Sequence, residues 1–223
     1  MSRPRKYPEE LICRGIRMVF ESGRPVAHVA ADLGLPSETL RKKVRQAEID
    51  EGRRQGLSTA ERDEIREAIL TRGWSEARQA YAQSFDSDEL DAAALLMPIL
   101  GFLPASDERM RSTIDAIADQ LTEDGLVLRY RNQGGLNADG LAGEEGTFVI
   151  CSFWLVSALA KAGEVDRAEA LFDQLVSYAN DLGLLAEEID TSSGELLGNF
   201  PQAFSHIGVI FSGVTLAAAG WRS

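Results

Sequence analysis

Two pairs of adjacent glutamates have the residue type and spacing that acid–base chemistry needs. Glu187 and Glu188 follow apolar residues in a predicted loop, and Glu144 and Glu145 lie in a glycine-rich stretch just before an apolar segment. Hydrolysis of a glycosidic bond needs two carboxyl groups, one protonated and one ionised, across the bond. From spacing alone, helix caps or solubilising charges explain the pairs better, because adjacent glutamates in loops are common and unspecific.

A second group of residues has the chemistry of nucleic-acid binding. Four cations fall within five residues: Arg41, Lys42, Lys43 and Arg45. On one helix they could neutralise DNA phosphates or reach base edges in the major groove. An ordinary solvated helix face would explain the cluster equally well.

Charge is distributed unevenly around these two groups. The chain has 223 residues, 44% of them hydrophobic, and a net charge of −12. Residues 1–68 hold 14 basic and 12 acidic side chains, whereas residues 69–223 hold 9 and 23. Such asymmetry indicates two parts with different partners. The first part could approach nucleic acid, and the strongly acidic second part suits a neutral ligand.

The elements that would carry the cations form a three-helix pattern. The first helix begins after Pro8, the second covers Val26–Leu33 and ends at Gly34, and the third is predicted to be capped by Ser37. A polar break follows, and Ser58 with Glu61 predicts a capping box at the start of a fourth helix. A tight glycine-containing turn before the third helix is typical of a helix-turn-helix, with the third helix as the recognition helix.

Residues 3–67 resemble the short first-reading-frame protein of insertion-sequence transposases. The marks of this resemblance are Val29-Ala30, Leu33-Gly34, Thr39-Leu40, Val44-Arg45-Gln46 and the run Gly56-Leu57-Ser58-Thr59-Ala60-Glu61-Arg62. In that family a leucine-rich oligomerising helix follows, and here that helix is cut off almost as soon as it begins. The family's integrase-type catalytic part is also absent. The resemblance therefore implies binding of duplex DNA and does not imply transposition.

Beyond residue 72 the periodicity indicates an all-helical second part. Residues 73–85 are ambiguous, and 126–130 are extended. Helices are predicted over 88–100, from Ser106 or Asp107 to 121, over 147–161, 164–180 and 200–219, with loops at 131–146 and 184–198. The 147–161 helix is apolar nearly all round and must be buried on all sides, whereas its neighbours are amphipathic. Alternation of inner and outer helices predicts an α/α toroid, with too few helices to close a ring of six pairs.

Four segments of this second part resemble the C-terminal part of family 15 glycoside hydrolases. They read GWSEARQAYAQSFDSDELDAAALLMPILGFLP, GLVLRY, GEEGTFVICSFWLVSALAKAGEVDRAEALFDQLV and GLLAEEIDTSSGELLGNFPQAFSHIG, within residues 69–211. The resemblance is greatest to bacterial glucoamylase and trehalase-like members. It implies an (α/α)6 barrel and hydrolysis of an α-glucoside sugar with inversion. It also implies Glu187 as the general base, Arg129 and Tyr130 as ligands of sugar hydroxyls, and Glu145 as a further binding residue; Trp154 is expected in the core.

The family's general acid is a second glutamate on an earlier helix, where this chain carries the transposase-like segment instead. Three interpretations remain: a hydrolase fragment fused to a mobile-element remnant, a DNA-binding protein with a non-catalytic carbohydrate-domain appendage, or a complete small glycosidase. The last requires Glu144 or Glu145 to replace the acid. We favour the first, since each family is interrupted abruptly at the join.

The expected fold is therefore all-α, with a small helix-turn-helix domain at 1–68 and a partial (α/α)6 barrel at 69–223. No metal or cofactor motif is present, and Cys13 and Cys151 are too far apart in sequence to suggest a disulfide framework. The start of the chain has no apolar leader, and the longest apolar run is too short to span a bilayer, so we expect a cytoplasmic protein without membrane contact. A partial barrel should also expose inner helix faces and favour self-association.

Overall fold

The computed structural model describes residues 7–131 and 147–221, which are mostly helical. Contacts within the chain divide it into two compact units, Met1–Leu70 and Thr71–Ser223. The helical character confirms the expected all-α class, since the strands are only two residues long each.

The first unit is a small helical domain. Its helices are α1 (Glu9–Ser22), α2 (Val26–Asp32), α3 (Ser37–Asp50) and α4 (Thr59–Arg72), the last of which runs two residues past the unit boundary. Five buried residues form its core: Val29, Ala30, Leu35, Leu40 and Val44. Helix α1 approaches α3 closely at Gly15, where an added Cβ would lie 2.8 Å from Cδ1 of Leu40. Helix α3 is thereby held against the core by its Leu40–Val44 side, and its other side is exposed.

Two helix starts in this unit test the capping predictions. Ser58 and Glu61 form the expected capping box: the Ser58 N–H donates to the Glu61 carboxylate at 2.7 Å, and the Glu61 N–H donates to Ser58 Oγ at 3.2 Å. The prediction that Ser37 caps α3 was wrong. Ser37 is already helical and Pro36 stands at the N-cap, because the fixed φ of proline (−61° here) sets the turn without a side-chain cap.

In its described residues the second unit combines helices with three small antiparallel sheets. Hairpin strands β1 (Trp74–Ser75) and β2 (Ala80–Tyr81) come first, followed by a 3₁₀ turn (Ala92–Leu95), α5 (Leu96–Ile99), α6 (Glu108–Gln120) and the pair β3 (Thr122–Glu123) and β4 (Leu126–Val127). After the undescribed residues come β5 (Thr147–Phe148), α7 (Val149–Ala162), α8 (Val165–Ser177), the hairpin strands β6 (Glu188–Ile189) and β7 (Leu196–Leu197), and α9 (Ala203–Ala219).

Helix α7 lies at the centre of the second unit. Ten of its fourteen residues are buried, and it packs against α5, α6, α8 and α9. The expected all-round burial of this helix is confirmed, although its first two predicted residues form β5 instead. Helix α9 comes closest at Gly208, where an added Cβ would lie 3.0 Å from Phe153. Phe153 in turn makes an edge contact with Phe172 of α8, at 6.1 Å between ring centroids.

Some predicted secondary structure differs from the observed structure in the irregular segments. The helix predicted over 88–100 begins only at residue 92, because Asp91 is extended, bridges Tyr130, and caps the 3₁₀ turn through the Ala93 N–H at 2.6 Å. The ambiguous stretch 73–85 is the β1–β2 hairpin, and the predicted loop 184–198 contains the β6–β7 hairpin. Of the two alternatives for the start of α6, Asp107 is the cap, with Oδ1 accepting from the Arg109 and Met110 N–H groups.

Candidate functional site

Glu187 lies beside a three-stranded sheet that docks on the N-terminal end of α7. In this sheet β5 pairs with β6 and β6 with β7, so that Phe148 faces Glu188 and Glu188 faces Leu197. Glu187 precedes β6, and its carbonyl accepts from the Val149 N–H at 3.0 Å. The candidate base is therefore fixed by backbone bonds to the first residue of the most buried helix.

The Glu187 side chain is half-buried and bound through one of its two oxygens. Oε2 accepts from the backbone N–H of Asn199 at 3.0 Å and from Asn199 Nδ2 at 2.7 Å. Gly198 lies directly against it, since a Cβ there would come within 2.8 Å of Oε2. Within the described residues nothing donates to Oε1. A carboxylate whose second oxygen accepts no bond from the described residues can orient and deprotonate a water.

The segments on either side of Glu187 are also tied down. The preceding carbonyls are bound by the start of α9: Ser205 Oγ donates to the Ala186 carbonyl at 2.7 Å, and the Gln202 N–H to that of Leu185 at 2.9 Å. The turn of the β6–β7 hairpin closes on Asp190, whose pKa is lowered to about 2 by hydrogen bonds from Ser192 and Ser193. These contacts limit the conformations that the Glu187 carboxylate can adopt.

Arg129 and Tyr130 follow strand β4, which also meets this end of α7. Strand β4 is bound to α7 through the Val127 N–H and Ser152 Oγ at 2.8 Å. Arg129 is exposed, and its guanidinium lies 5.8 Å from the ring centroid of the half-buried Tyr130. The Ala92 N–H donates to the Arg129 carbonyl at 2.7 Å, which fixes the backbone of the pair. The segments that carry Arg129, Tyr130 and Glu187 are thus each hydrogen-bonded to the start of α7.

Asp91 and Cys151 belong to the same neighbourhood, and the sequence did not single them out as site residues. The Asp91 carboxylate is buried, with Oδ1 bound by the Ala93 N–H and Oδ2 3.4 Å from Gln83 Nε2. Burial raises the pKa of the Cys151 thiol to about 12, with Asp91 adding to the shift and Arg129 opposing it. Arg129 therefore acts electrostatically on the interior of α7 although its side chain is exposed. Asp91 could have been found as an acidic residue before an apolar helical segment, whereas no sequence signal marks Asn199 as the partner of Glu187.

Glu144 and Glu145 lie in residues 132–146, outside the described residues. Trp154, expected in the core, is half-buried on α7. Among the described residues no group of histidine, cysteine or acidic side chains could hold a metal ion.

The four cations of α3 are all exposed, as the pattern predicts. Arg41 forms an ion pair with Glu38 at 2.7 Å, and both side chains are more than half exposed. Lys42, Lys43 and Arg45 form no ion pair with any residue in the described ranges. An exposed ion pair such as Arg41–Glu38 contributes little to stability, so that Arg41 can exchange Glu38 for a phosphate at small cost. No helix in the described parts of the chain is long and apolar enough to cross a membrane.

Comparison with known proteins separates the two parts of the chain. The sequence profile of the glycosyl hydrolases family 15 matches residues 45–213, and a transposase helix-turn-helix profile matches residues 1–69, so the matches overlap between 45 and 69. An uncharacterized 12.0 kDa protein of insertion element IS6110 from Mycobacterium tuberculosis is 39% identical over 103 residues, which cover 40% of this chain and 94% of that protein.

The relatives named trehalases are much longer proteins. The trehalase of Mycolicibacterium smegmatis is 48% identical over 197 residues, covering 88% of this chain and 28% of the relative. The trehalase of Mycobacterium tuberculosis is 55% identical over 148 residues, covering 66% and 21%. The chain thus spans about a quarter of the length of these trehalases. A solved glycosidase matches with a TM-score of 0.60 at 17% identity, over 93% of this chain and 65% of that one. This likeness confirms the fold.

Proposed function

Because the chain belongs to family 15 of the glycosyl hydrolases, we propose that residues 69–223 form the base-bearing part of an inverting α-glucosidase site. Glu187 is the general base in this proposal, and Arg129, Tyr130 and Glu145 bind the sugar. The substrate is an α-glucoside, and the relatives named trehalases make trehalose the first candidate. We place the functional boundary at residue 68, close to the division of the two compact units.

The observation that carries the proposal is the hydrogen bonding of the Glu187 carboxylate. Two donors from Asn199 bind Oε2 and fix the orientation of the carboxylate, while Oε1, which accepts no hydrogen bond from the described residues, binds the attacking water in this proposal. In an inverting reaction this water attacks the anomeric carbon from the face opposite the leaving group. Gly198 supports the role because any side chain there would displace the carboxylate.

We further propose that this chain does not supply the general acid. Residues 1–44 match the transposase profile and not the family 15 profile, and residues 45–69 match both. An alkoxide leaving from a sugar needs a proton in the transition state, and Glu187 cannot activate water on one face and protonate oxygen on the other. Loss of such assistance typically lowers the rate by about 10²–10⁴-fold.

An activated substrate separates the two parts of this proposal. Purified chain should turn over α-glucosyl fluoride, whose leaving group needs no proton, but should not detectably hydrolyse trehalose or maltose. Glu187→Gln should abolish fluoride release, since the amide cannot accept the proton of the attacking water. Glu195→Gln is the matched control, because this exposed carboxylate lies on the same hairpin and should leave turnover unchanged.

The outcomes are distinct. Fluoride release that survives Glu187→Gln would refute the assignment of the base. Trehalose hydrolysis that depends on Glu144 or Glu145 would instead establish the complete-glycosidase alternative, with the acid supplied by this chain.

For the first unit we propose weak binding of duplex DNA through Arg41, Lys42, Lys43 and Arg45. The supporting observation is their shared exposure on α3, opposite a side buried in the core. If all four neutralise phosphates, the logarithm of affinity should fall with the logarithm of salt concentration with a slope of about −3.6. A self-associated form of the chain would strengthen such binding by presenting two copies of α3.

A mobility-shift titration at several salt concentrations tests this second function. Replacing the four α3 cations by alanine should remove binding and its salt dependence. A charge-matched control replaces Arg14, Arg17, Arg62 and Arg66, which are exposed on α1 and α4, and should weaken binding much less. Equal losses in the two variants would show that only net charge matters and that α3 is not a recognition helix.

A further inference from the structure

Helix α9 has two faces of very different character. Toward α7 and α8 it presents small or buried residues, namely Ser205, Gly208, Ser212 and Leu216. The opposite side carries large apolar side chains that are about half or more exposed: Phe204 (63%), Ile207 (55%), Ile210 (68%), Phe211 (48%) and Val214 (65%). A helix that faces water on one side normally carries polar residues there. This apolar surface, the α9 face, therefore has the composition of a surface that is covered.

The spacing of the α9 face suits a second helix. Phe204, Ile207, Phe211 and Val214 follow intervals of three, four and three residues, which is the seam of two helices packed side by side. Residues 203–219 include no Asp, Glu, Lys or Arg, so nothing in the helix selects a charged partner. A neutral seam also allows two copies of a strongly acidic unit to meet without placing their charges at the contact.

The α9 face is a large part of what one side of an interface needs. Its five side chains expose on the order of 500 Å² of apolar surface, near the upper end for the largest patch on a monomer. A standard interface buries about 800 Å² on each partner, so the α9 face would supply more than half of one side.

We propose that the α9 face is the self-association surface of this chain and that its occupant is the α9 face of a second copy. Such a contact is isologous, because the same residues meet on both sides of a twofold axis. The start of α9 is hydrogen-bonded to the Ala186 and Leu185 carbonyls through the Ser205 hydroxyl, on the buried side of the helix, and the Gln202 N–H. The proposal does not depend on whether Glu187 is a catalytic base.

Sedimentation equilibrium of the full chain over a range of concentrations tests the proposal. The chain should be a dimer, and Ile207→Glu should raise its dissociation constant by roughly 30-fold or more, because a central apolar anchor becomes a buried charge. Leu182→Glu is the matched control: Leu182 is 75% exposed in the same unit but outside α9, and its change should leave the dimer intact. The milder Val214→Ser should weaken the dimer less and checks that Ile207→Glu acts at the surface rather than on folding.

A disulfide readout completes the test. In a Cys13→Ser background, which removes the exposed native thiol, Ile207→Cys should form a covalent dimer under oxidation, whereas Leu182→Cys should not. A chain that stays monomeric at all concentrations overturns the proposal, as does a dimer that persists unchanged in Ile207→Glu. Higher aggregates would also overturn the proposal. A 1:1 complex that forms only with an added N-terminal fragment of a family 15 hydrolase would show that the α9 face binds another occupant.

Discussion

The two units place their candidate functional groups in opposite ways. The cations of α3 are neighbours in sequence and lie on a single helix, so helix formation alone brings them together. The surroundings of Glu187 are assembled from separate segments of the chain, among them those that carry Val149 and Asn199. The first site therefore survives wherever its helix forms, whereas the second depends on correct packing of the whole unit around α7.

The two units also differ in the size of their cores. A few buried side chains hold the first unit, whereas the second has an extended core centred on α7. All three tryptophans, Trp74, Trp154 and Trp221, lie in the second unit, so their fluorescence follows that unit alone. Unfolding of the second unit can therefore be followed separately from that of the first.

The largest expected effect is that of Phe153→Ala. Phe153 is 1% exposed and packs against Gly208 and Phe172, so its removal leaves a cavity at the crossing of three helices. The free energy of unfolding of the second unit should fall by about 3–5 kcal/mol. Denaturant unfolding followed by tryptophan fluorescence measures this loss, and Leu182→Ala should change it by less than about 0.5 kcal/mol. A loss of DNA binding in Phe153→Ala would show that the units are not independent.

Leu40→Ala makes the reciprocal change in the first unit. Leu40 is fully buried and fills the space that Gly15 leaves between α1 and α3. We expect a loss of about 2–5 kcal/mol from that unit, at the upper end because the small core has few neighbours to relax into the cavity. Helical circular dichroism and DNA affinity should both fall. Tryptophan fluorescence should stay unchanged, and a shift in its midpoint would contradict the comparison.

The smallest expected effect concerns acid and the start of α4. The pKa of Asp50 is lowered by hydrogen bonds from Gln46 and Thr59, and that of Glu61 by those from Ser58. Since both folded-state values lie below the ordinary ones, the stabilisation is present above the unfolded-state pKa and is lost as pH falls through the folded one. Asp50→Asn and Glu61→Gln should each slightly reduce helical content at neutral pH and flatten its decline in acid. An unchanged decline of helical content in acid would mean that these exposed hydrogen bonds do not stabilise the start of α4.

How far the sequence could predict the structure follows from how local each feature is. The capping box at Ser58 and the burial of α7 were predictable because they depend on residues within one helix. The extended conformation of Asp91 was not, since it depends on pairing with Tyr130 some forty residues later. The Asn199 contacts of Glu187 likewise arise from a two-residue strand pair that no periodicity marks. Roles for Glu187, Arg129 and Tyr130 came from family resemblance, and the structure adds their common anchor at α7.

The buried Cys151 thiol on α7 also allows transient local openings of the second unit to be measured. Cys151 is 2% exposed and its pKa of about 12 keeps it protonated at neutral pH, whereas Cys13 is exposed on α1. An alkylating reagent should label Cys13 at once and reach Cys151 only during transient openings of the helix. When reclosing is faster than labelling, the ratio of the observed rate to that of the unfolded thiol equals the opening equilibrium constant. Mass spectrometry of the labelled peptides would therefore give a local free energy at the anchor of Glu187 without any denaturant.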